Sequence, residues 1–229
     1  MLLEAQGQIP SAAAHIDQAL AIAAELAASD PANVDWQREL GRSHYRMGLV
    51  DDARGVREAA RSHLLRAATI MAAAAGRDAL NPARQRDLAE VRAALAYHHL
   101  AAGDSSRAGD EGRLVQQIAE RLIERAKDDR QAIRLRGLAL VVQAQALEHS
   151  GRTRQAAGVW AEAVAALEPV ARSTRDYLFL DPWAQALAGA GRIGDAEEVV
   201  QTLSAIGYRN PTFVTAISRR GIRVPAPTP

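Results

Sequence analysis

Small and bulky apolar residues recur at fixed distances after a glycine along most of this chain. Counting five, nine and twelve residues from Gly55 gives Ala60, Leu64 and Ala67. The glycines that open this pattern are Gly7, Gly55, Gly103, Gly151 and Gly191. The first four follow one another at intervals of 48 residues, and the fifth follows after 40. The repeat that begins at Gly103 matches the pattern only in degenerate form. Apolar positions three and four apart favour helices, and a fixed period of this length is typical of a repeat protein.

The same pattern predicts the bounds of the helices. The predicted helices span 9–29, 32–54, 56–76, 82–102, 105–127, 130–150, 152–171, 177–190, 193–206 and 211–220. Asp30, Asn81 and Asn210 each precede a proline, so a capping side chain stands before a residue suited to the first helical position. We expect Asp129 and Asp181 to cap later helices. The periodic glycines then fall between the two helices of each pair.

One further repetition supports this register. Gln37-Arg38-Glu39-Leu40 recurs as Gln85-Arg86-Asp87-Leu88, again after 48 residues and at an equivalent place in two predicted helices. About 50 residues are alanine and only 4% are aromatic. Since alanine has the highest helix propensity and the smallest side chain of the good helix formers, this composition favours closely packed helices.

Composition excludes several classes of function. The formal net charge is +1, so no strong attraction to nucleic acid or acidic membranes is expected. Cysteine is absent, which excludes disulfides, thiolate zinc sites and cysteine nucleophiles. The N-terminus does not resemble a signal peptide, and no uncharged apolar run approaches 18 residues. We therefore expect a cytoplasmic protein that binds neither nucleic acid nor a membrane.

The order glycine, alanine, bulky residue, alanine resembles the tetratricopeptide repeat (TPR), in which the glycine closes the first helix and the trio packs the second. The usual period is about 34 residues, so each helix here would be about two turns longer, which keeps its apolar stripe in register. The resemblance implies an all-α fold, a right-handed α-solenoid of TPR-like antiparallel helix hairpins with a C-terminal capping helix. We expect one domain over residues 1–222, with corners at the five glycines, and a disordered Pro-rich tail over 223–229.

A second resemblance concerns two short segments. Residues 207–213 and 35–40 are similar to the C-terminal TPR regions of proteobacterial multidomain signalling proteins, such as serine/threonine kinases and winged-helix regulators. Only Met1–Gln6 precede Gly7, so the array starts in the middle of a repeat. This favours a longer parent protein over a degenerate cap, and any catalytic domain would lie outside the chain.

Several motifs that could carry chemistry are better explained by structure. Residues Gly189–Gly194 match the dinucleotide-binding pattern GxGxxG. A dinucleotide site needs a strand before this pattern, but a helix is predicted there, which favours a turn between two helices. Asp51-Asp52 is interpreted as solvated and Asp128-Asp129 as a helix cap. Glu and Arg alternate from Glu120 onward, as on a salt-bridged solvent face. The histidines show no metal spacing: His15, His44, His63, His98, His99 and His149. No catalytic residue, cofactor or metal is predicted.

The TPR register implies that the first helix of each pair lines an inner groove. The candidate partner-binding residues are Arg42, Tyr45, Leu49, Asp52, Glu90, Tyr97, Leu100, Gln145 and Glu148. Among them, Arg42, Tyr45 and Tyr97 are the candidate anchors, because buried aromatic and Arg side chains dominate many interfaces. The set lacks the Lys and Asn residues with which TPR proteins hold a terminal carboxylate. The alternative is that each of these residues packs on a neighbouring helix or faces water.

The leading hypothesis is a non-catalytic protein- or peptide-interaction module, the C-terminal scaffolding or sensing region of a bacterial signalling protein with a kinase-like parent. Two alternatives stay open: the TPR region of a winged-helix transcriptional regulator, and a self-association module. In the latter, helix 9–29 lacks a partner for Ile16, Leu20, Ile22 and Leu26, and a homodimer would cover them.

Overall fold

The computed structural model describes Gln6 and residues 9–225, which form ten α-helices and no strand. The helices are α1 (Ile9–Ser29), α2 (Val34–Ala53), α3 (Arg57–Arg77), α4 (Pro82–Ala101), α5 (Ser105–Arg125), α6 (Arg130–His149), α7 (Thr153–Ala171), α8 (Tyr177–Gly189), α9 (Ile193–Ala205) and α10 (Pro211–Ser218). The predicted all-α solenoid of hairpins is confirmed. The predicted corner at Gly7 and residues 226–229 lie outside the described residues. None of the described helices has the length and apolar character needed to cross a bilayer.

Polar side chains begin three of these helices as predicted. The Asn81 side-chain oxygen accepts the N–H of Ala83 at 3.1 Å. Asp129 starts α6 in the same way, and Asn210 starts α10. Each cap satisfies backbone N–H groups that have no partner inside the helix.

Two predicted caps are wrong. Helix α2 is capped by Asn33, whose side chain accepts the N–H groups of Asp35 and Trp36. Asp30 instead accepts the N–H of Ala32 in the preceding turn. Helix α8 is capped by Asp176, and Asp181 lies inside the helix. In both cases a side chain closer to the first free N–H groups takes the capping role.

The four corner glycines that the structure describes have equivalent conformations. Their φ angles are 76° at Gly55, 81° at Gly103, 76° at Gly151 and 77° at Gly191, a left-handed region that disfavours other residues. The residue after each glycine donates its N–H to a carbonyl five residues back, at 2.8–2.9 Å. This is the Schellman ending of a helix, and it turns the chain into the second helix of each hairpin.

The hairpins stack side by side. The first helix of each hairpin is α2, α4, α6 or α8, and the second is α3, α5, α7 or α9; α1 is a second helix without a described first helix. Each second helix packs on its own first helix and, up to α7, on the next one. Successive first helices also touch one another, whereas no comparable contact joins successive second helices of the described chain. The first helices therefore lie on the concave side, as the TPR register predicts.

Ion pairs tie the first helices together. Arg38 of α2 pairs with Asp87 of α4, and Arg86 of α4 pairs with Asp129 at the start of α6. The repeated Gln-Arg-acid-Leu segments occupy equivalent places, since Gln37 and Gln85 each donate to a carbonyl ten residues back. The sequence repetition thus corresponds to repeated contacts between neighbouring hairpins.

The interior is a row of apolar clusters rather than one core, as expected for a repeat array. Some contacts are too close for any side chain larger than hydrogen. A Cβ atom at Gly48 of α2 would lie 2.7 Å from the Leu64 side chain of α3. Small residues of the first helices thus allow bulky residues of the second helices to approach the backbone.

The C-terminal end is closed by α10 and the residues after it. Phe213 and Ile217 are fully buried against the last hairpin. Val224 packs on the same cluster, and the Pro225 carbonyl accepts a hydrogen bond from Ser204 at 3.0 Å. The prediction of a disordered tail is therefore wrong for residues 223–225, because an apolar side chain and a carbonyl find partners on the last repeat.

Candidate functional site

A cleft of about 290 Å³ opens where the C-terminal ends of three first helices meet α10. Helix α2 contributes Asp52, α4 contributes Tyr97 and Leu100, and α6 contributes Gln145 and His149. Thr212 and Thr215 of α10, with Arg219 directly after it, line the other side. The side chains converge because equivalent corners end α2, α4 and α6 at the same edge of the solenoid.

Helix α10 forms one wall because its two faces differ. Phe213 and Ile217, four residues apart, anchor one face in the last hairpin. Thr215 and Arg219 lie on the other face, where both are exposed and line the cleft. The asparagine cap and Pro211 fix where the helix begins, and hence which residues face the cleft.

A buried hydrogen-bond network lies behind the cleft. Gln145 donates to Gln185 at 2.8 Å, and Gln185 donates to Asp181 at 2.6 Å. The Tyr208 hydroxyl donates to the other Asp181 oxygen at 2.5 Å. Burial raises the pKa of Asp181 to about 6. The network joins α6, α8 and the segment before α10, and so it fixes the wall and floor of the cleft relative to each other.

The Tyr97 hydroxyl lies at the cleft end of this network, with Gln185 as a polar neighbour, and burial raises its pKa. No described residue forms a hydrogen bond of standard geometry with this hydroxyl. The hydroxyl is buried, so it belongs to the interior behind the cleft, and only the ring and the neighbouring apolar atoms of Tyr97 line the cleft.

Asp52 stands at the opposite end of the cleft. It accepts a hydrogen bond from the Nδ1 atom of buried His98 at 2.8 Å. Partial burial raises the pKa of Asp52, although the hydrogen bond with His98 opposes this effect. The neighbouring Asp51 is also buried, at 6% exposure, so the interpretation of Asp51-Asp52 as a solvated pair is wrong. Both residues lie where the end of α2 packs on its neighbours.

The side chains of Arg219 and His149 at the cleft have no partner among the described residues. Arg219 and His149 are exposed, and neither takes part in a hydrogen bond or ion pair with the described part of the chain. Beside them, Arg220 pairs with Glu148 and lies over the Trp160 ring, 5.2 Å from its centre. The end of α10 is thus fixed by Arg220, while Arg219 and His149 stay available for a partner.

The structure brings together five of the nine predicted groove residues. Asp52, Tyr97, Leu100 and Gln145 line the cleft, and Glu148 lines an adjoining hollow of about 220 Å³. The structure alone does not test whether they bind a partner.

The other four lie in contacts between helices. Arg42 pairs with Asp87 and Glu39, and Glu90 pairs with Arg134. Tyr45 and Leu49 pack against the cluster around Leu64. These positions illustrate the alternative in which a groove residue packs on its neighbour.

Sequence reasoning missed the wall formed by α10 and two histidine contacts. His44 of α2 and His63 of α3 approach to 2.9 Å between their Nδ1 atoms. Burial, and then the neighbouring His63, lower the pKa of His44 to about 4, so His44 is neutral near pH 7. The two residues are 19 positions apart, a spacing that signals contact only once the hairpin is known. No group of potential ligands within the described residues could hold a metal ion.

No model of a protein family matches the chain, and no curated protein matches its sequence. Two solved structures of TPR-like repeats from a Podosopora anserina putative kinesin light chain are similar to it. The first is 18% identical with a TM-score of 0.48, covering 88% of this chain and 88% of that one. The second, a single-substitution variant of the same repeats, is 18% identical with a TM-score of 0.49, covering 95% and 92%. The TPR-like character of this chain is seen in its own hairpins and glycine corners.

Proposed function

We propose that the chain is a non-catalytic interaction module that binds a peptide segment of a partner protein in the cleft between α2, α4, α6 and α10. The observation that carries this proposal is the unpartnered Arg219 guanidinium, with the unpartnered His149 ring beside it, at the mouth of a cleft whose other polar groups are mostly paired. An exposed cleft with fixed walls and free charges is suited to hold a ligand without rearrangement.

The cleft also limits the chemistry of the partner. Its volume of about 290 Å³ lies at the lower end of the range for small-molecule sites, so it suits one or two side chains of a peptide. Leu100 and the Tyr97 ring provide an apolar surface. The Arg219 guanidinium would attract a carboxylate beside it, and the His149 ring could add a hydrogen bond. We propose an apolar residue followed by Asp or Glu as the recognised pattern.

A peptide-display selection on the immobilised chain tests the proposal. We expect selected peptides to be enriched in this pattern, and Ala101→Arg, which fills the cleft from an exposed position, to weaken binding at least about tenfold. Arg219→Glu should weaken acidic peptides by a similar factor. Ala161→Arg and Arg154→Glu on α7 are matched controls and should change little. Selected peptides that bind all four variants equally would contradict the proposed site.

The finer proposal concerns the parent protein. We propose that the module is the C-terminal scaffolding or sensing region of a bacterial signalling protein, with a kinase-like catalytic domain in the same gene. Its support is the resemblance of residues 35–40 and 207–213. Reading the coding sequence upstream of Met1 tests it, and we expect a kinase domain there. A winged-helix domain would favour the regulator instead. A coding sequence with no domain of either kind would contradict both proposals.

A further inference from the structure

The cleft between α2, α4, α6 and α10 carries opposite charges at its two ends. Among the described residues that line it, Asp52 is the one acid and Arg219 is the one arginine, with the His149 ring beside Arg219. The other side chains of this set are apolar or uncharged. A ligand that lies along the cleft therefore meets a carboxylate at one end and a guanidinium at the other.

Asp52 has one oxygen atom left for a ligand. Its Oδ1 atom lies 2.8 Å from the Nδ1 atom of His98, whereas its Oδ2 atom has no hydrogen bond or ion pair within the described residues. The Asp52 side chain is 24% exposed, so a ligand in the cleft can reach it, and His98 is buried and holds the carboxylate in place. A carboxylate that is fixed on one side and open on the other is suited to accept from a cation.

The other charged groups near Asp52 do not take this place. Burial raises the pKa of Asp52, which shows that its carboxylate is poorly solvated; the exposed Arg57 opposes this effect through space but forms no ion pair with it. Asp51 pairs with Arg54 at 3.7 Å, and neither of them lines the cleft. A cation bound at the Oδ2 atom of Asp52 would offset the lost solvation.

The repeat shows which kind of group binds a carboxylate at this position. Asp52, Leu100 and Glu148 occupy the same position of three successive repeats, at intervals of 48 residues, and all three lie at the cleft or in the adjoining hollow. At Glu148 the chain itself supplies the cation, since Arg220 pairs with this carboxylate. No arginine or lysine of the described chain pairs with Asp52. Asp52 thus lacks the cation that its counterpart has.

The opposite end of the cleft keeps its positive charge. Arg219 follows directly after α10, is exposed, and has no partner within the described residues. Glu148 does not neutralise it, because Glu148 pairs with Arg220 and also accepts the indole N–H of Trp160 at 2.9 Å. The two ends of the cleft therefore differ in sign, and each retains an unused polar group.

We propose that the partner peptide carries a Lys or Arg that binds Asp52, placed before the apolar residue and the acidic residue already assigned to the cleft. This inference rests on the proposed function and adds a third position to the recognised pattern. It makes Asp52 the residue that selects for the basic position.

The packing of the helices sets the spacing of the two charges in the peptide. Helix α4 lies between α2 and α6, so the ends of the cleft are up to about 20 Å apart, at an interaxial distance of about 10 Å per step. The side chains of Arg219 and of the bound Lys or Arg cover part of this distance. An extended peptide advances about 3.3 Å per residue, so we expect the basic residue about two to four positions before the acidic one.

Parallel selections from one peptide-display library on the parent chain and on Asp52→Asn test the inference. The random segment is displayed inside a carrier loop, so that no free terminus supplies a charge. On the parent chain, Lys or Arg should be enriched before the apolar and acidic positions. On Asp52→Asn, whose amide oxygen still accepts from His98, only the basic enrichment should disappear. Asp35→Asn, an exposed acid at the other end of α2, is the matched control and should select all three positions.

Fluorescence titration of a selected peptide, synthesised with both ends capped, measures the size of the effect. Replacing its basic residue by alanine should raise the Kd about three- to fivefold on the parent chain, as expected for a partly exposed ion pair. The same replacement should change the Kd less than about 1.5-fold on Asp52→Asn, because the carboxylate is gone. Salt at about 0.5 M should reduce the difference on the parent chain.

The outcomes separate this inference from the proposed function. Peptides enriched in the apolar and acidic positions without a basic residue would overturn the inference and leave the proposed function in place. Basic residues enriched equally on the parent chain and on Asp52→Asn would overturn the role of Asp52. A selection that enriches no peptide on the parent chain would overturn both proposals.

Discussion

At the C-terminal end of the solenoid, α10 and residues 222–225 bury the last hairpin, whereas at the N-terminal end α1 exposes Ile22 and Leu26. Both ends belong to the same array of repeats, whose hairpin corners are glycines. The C-terminal end is covered by added residues outside the repeat pattern, which also form a wall of the cleft. Residues outside the repeat pattern thus both cover the last hairpin and shape the cleft, whereas the described part of α1 has no such cover.

The largest expected effect comes from removing an anchor at the covered end. Phe213→Ala should lower the free energy of unfolding by about 3–4 kcal/mol, because the ring is 1% exposed and its loss leaves a cavity. Ile22→Ala at the open end should change it by less than about 0.5 kcal/mol in dilute protein. Urea denaturation followed by circular dichroism measures both. Similar losses of unfolding free energy in the two variants would contradict the expected difference between the two ends.

Substitution of a corner glycine should have the same effect on stability at both ends of the array. Gly55→Ala near the N-terminal end and Gly191→Ala near the C-terminal end should each cost about 1–2 kcal/mol, since their φ angles are 76° and 77°. Gly158→Ala on α7 is the matched control; an added Cβ meets nothing there, and the helix should gain up to about 1 kcal/mol. A corner variant as stable as the parent chain would contradict the left-handed geometry of that corner.

Acid should act on the two ends in opposite directions. The pKa of His44 is lowered to about 4, so below about pH 6.5 the unfolded chain binds a proton that the fold excludes, and the α2–α3 hairpin loses stability as pH falls. The pKa of Asp181 is raised to about 6, so the fold binds the proton first and the C-terminal end gains stability as pH falls from about 6 toward 4.

We expect each effect to be on the order of 1 kcal/mol at pH 5, since both sites retain some solvent screening. Hydrogen exchange at pH 7 and pH 5, corrected for the intrinsic rate, resolves the two regions. His44→Gln should remove the N-terminal effect alone, and Asp181→Asn the C-terminal effect alone. A change of the same sign at both ends would contradict these pKa directions.

The elements that sequence predicts well are those set by local chemistry. Helix bounds agree to within a few residues, and the four described corners lie where the glycines predict them, because a left-handed helix ending needs glycine itself. The start of α2 is less well predicted, since Asp30 and Asn33 are both capable caps and only the packed chain selects between them.

The candidate site was predicted in part for the same reason. The ends of α2, α4 and α6 follow from the register, so Asp52, Tyr97 and Gln145 could be named. The contribution of Arg219 could not, because α10 returns to the concave face through contacts more than 60 residues distant in sequence. The ion pair of Arg42 with Asp87 could not be predicted either, since it depends on how two hairpins stack.

Within the described residues, α1 exposes the side that the first helix of the same hairpin covers in α3, α5 and α7, whereas α10 and residues 222–225 cover the last hairpin. Hydrogen exchange of the chain in dilute solution tests this difference most directly. We expect α1 amides to exchange faster than those of α8 and α10. Faster exchange in α10 than in α1 would contradict this difference.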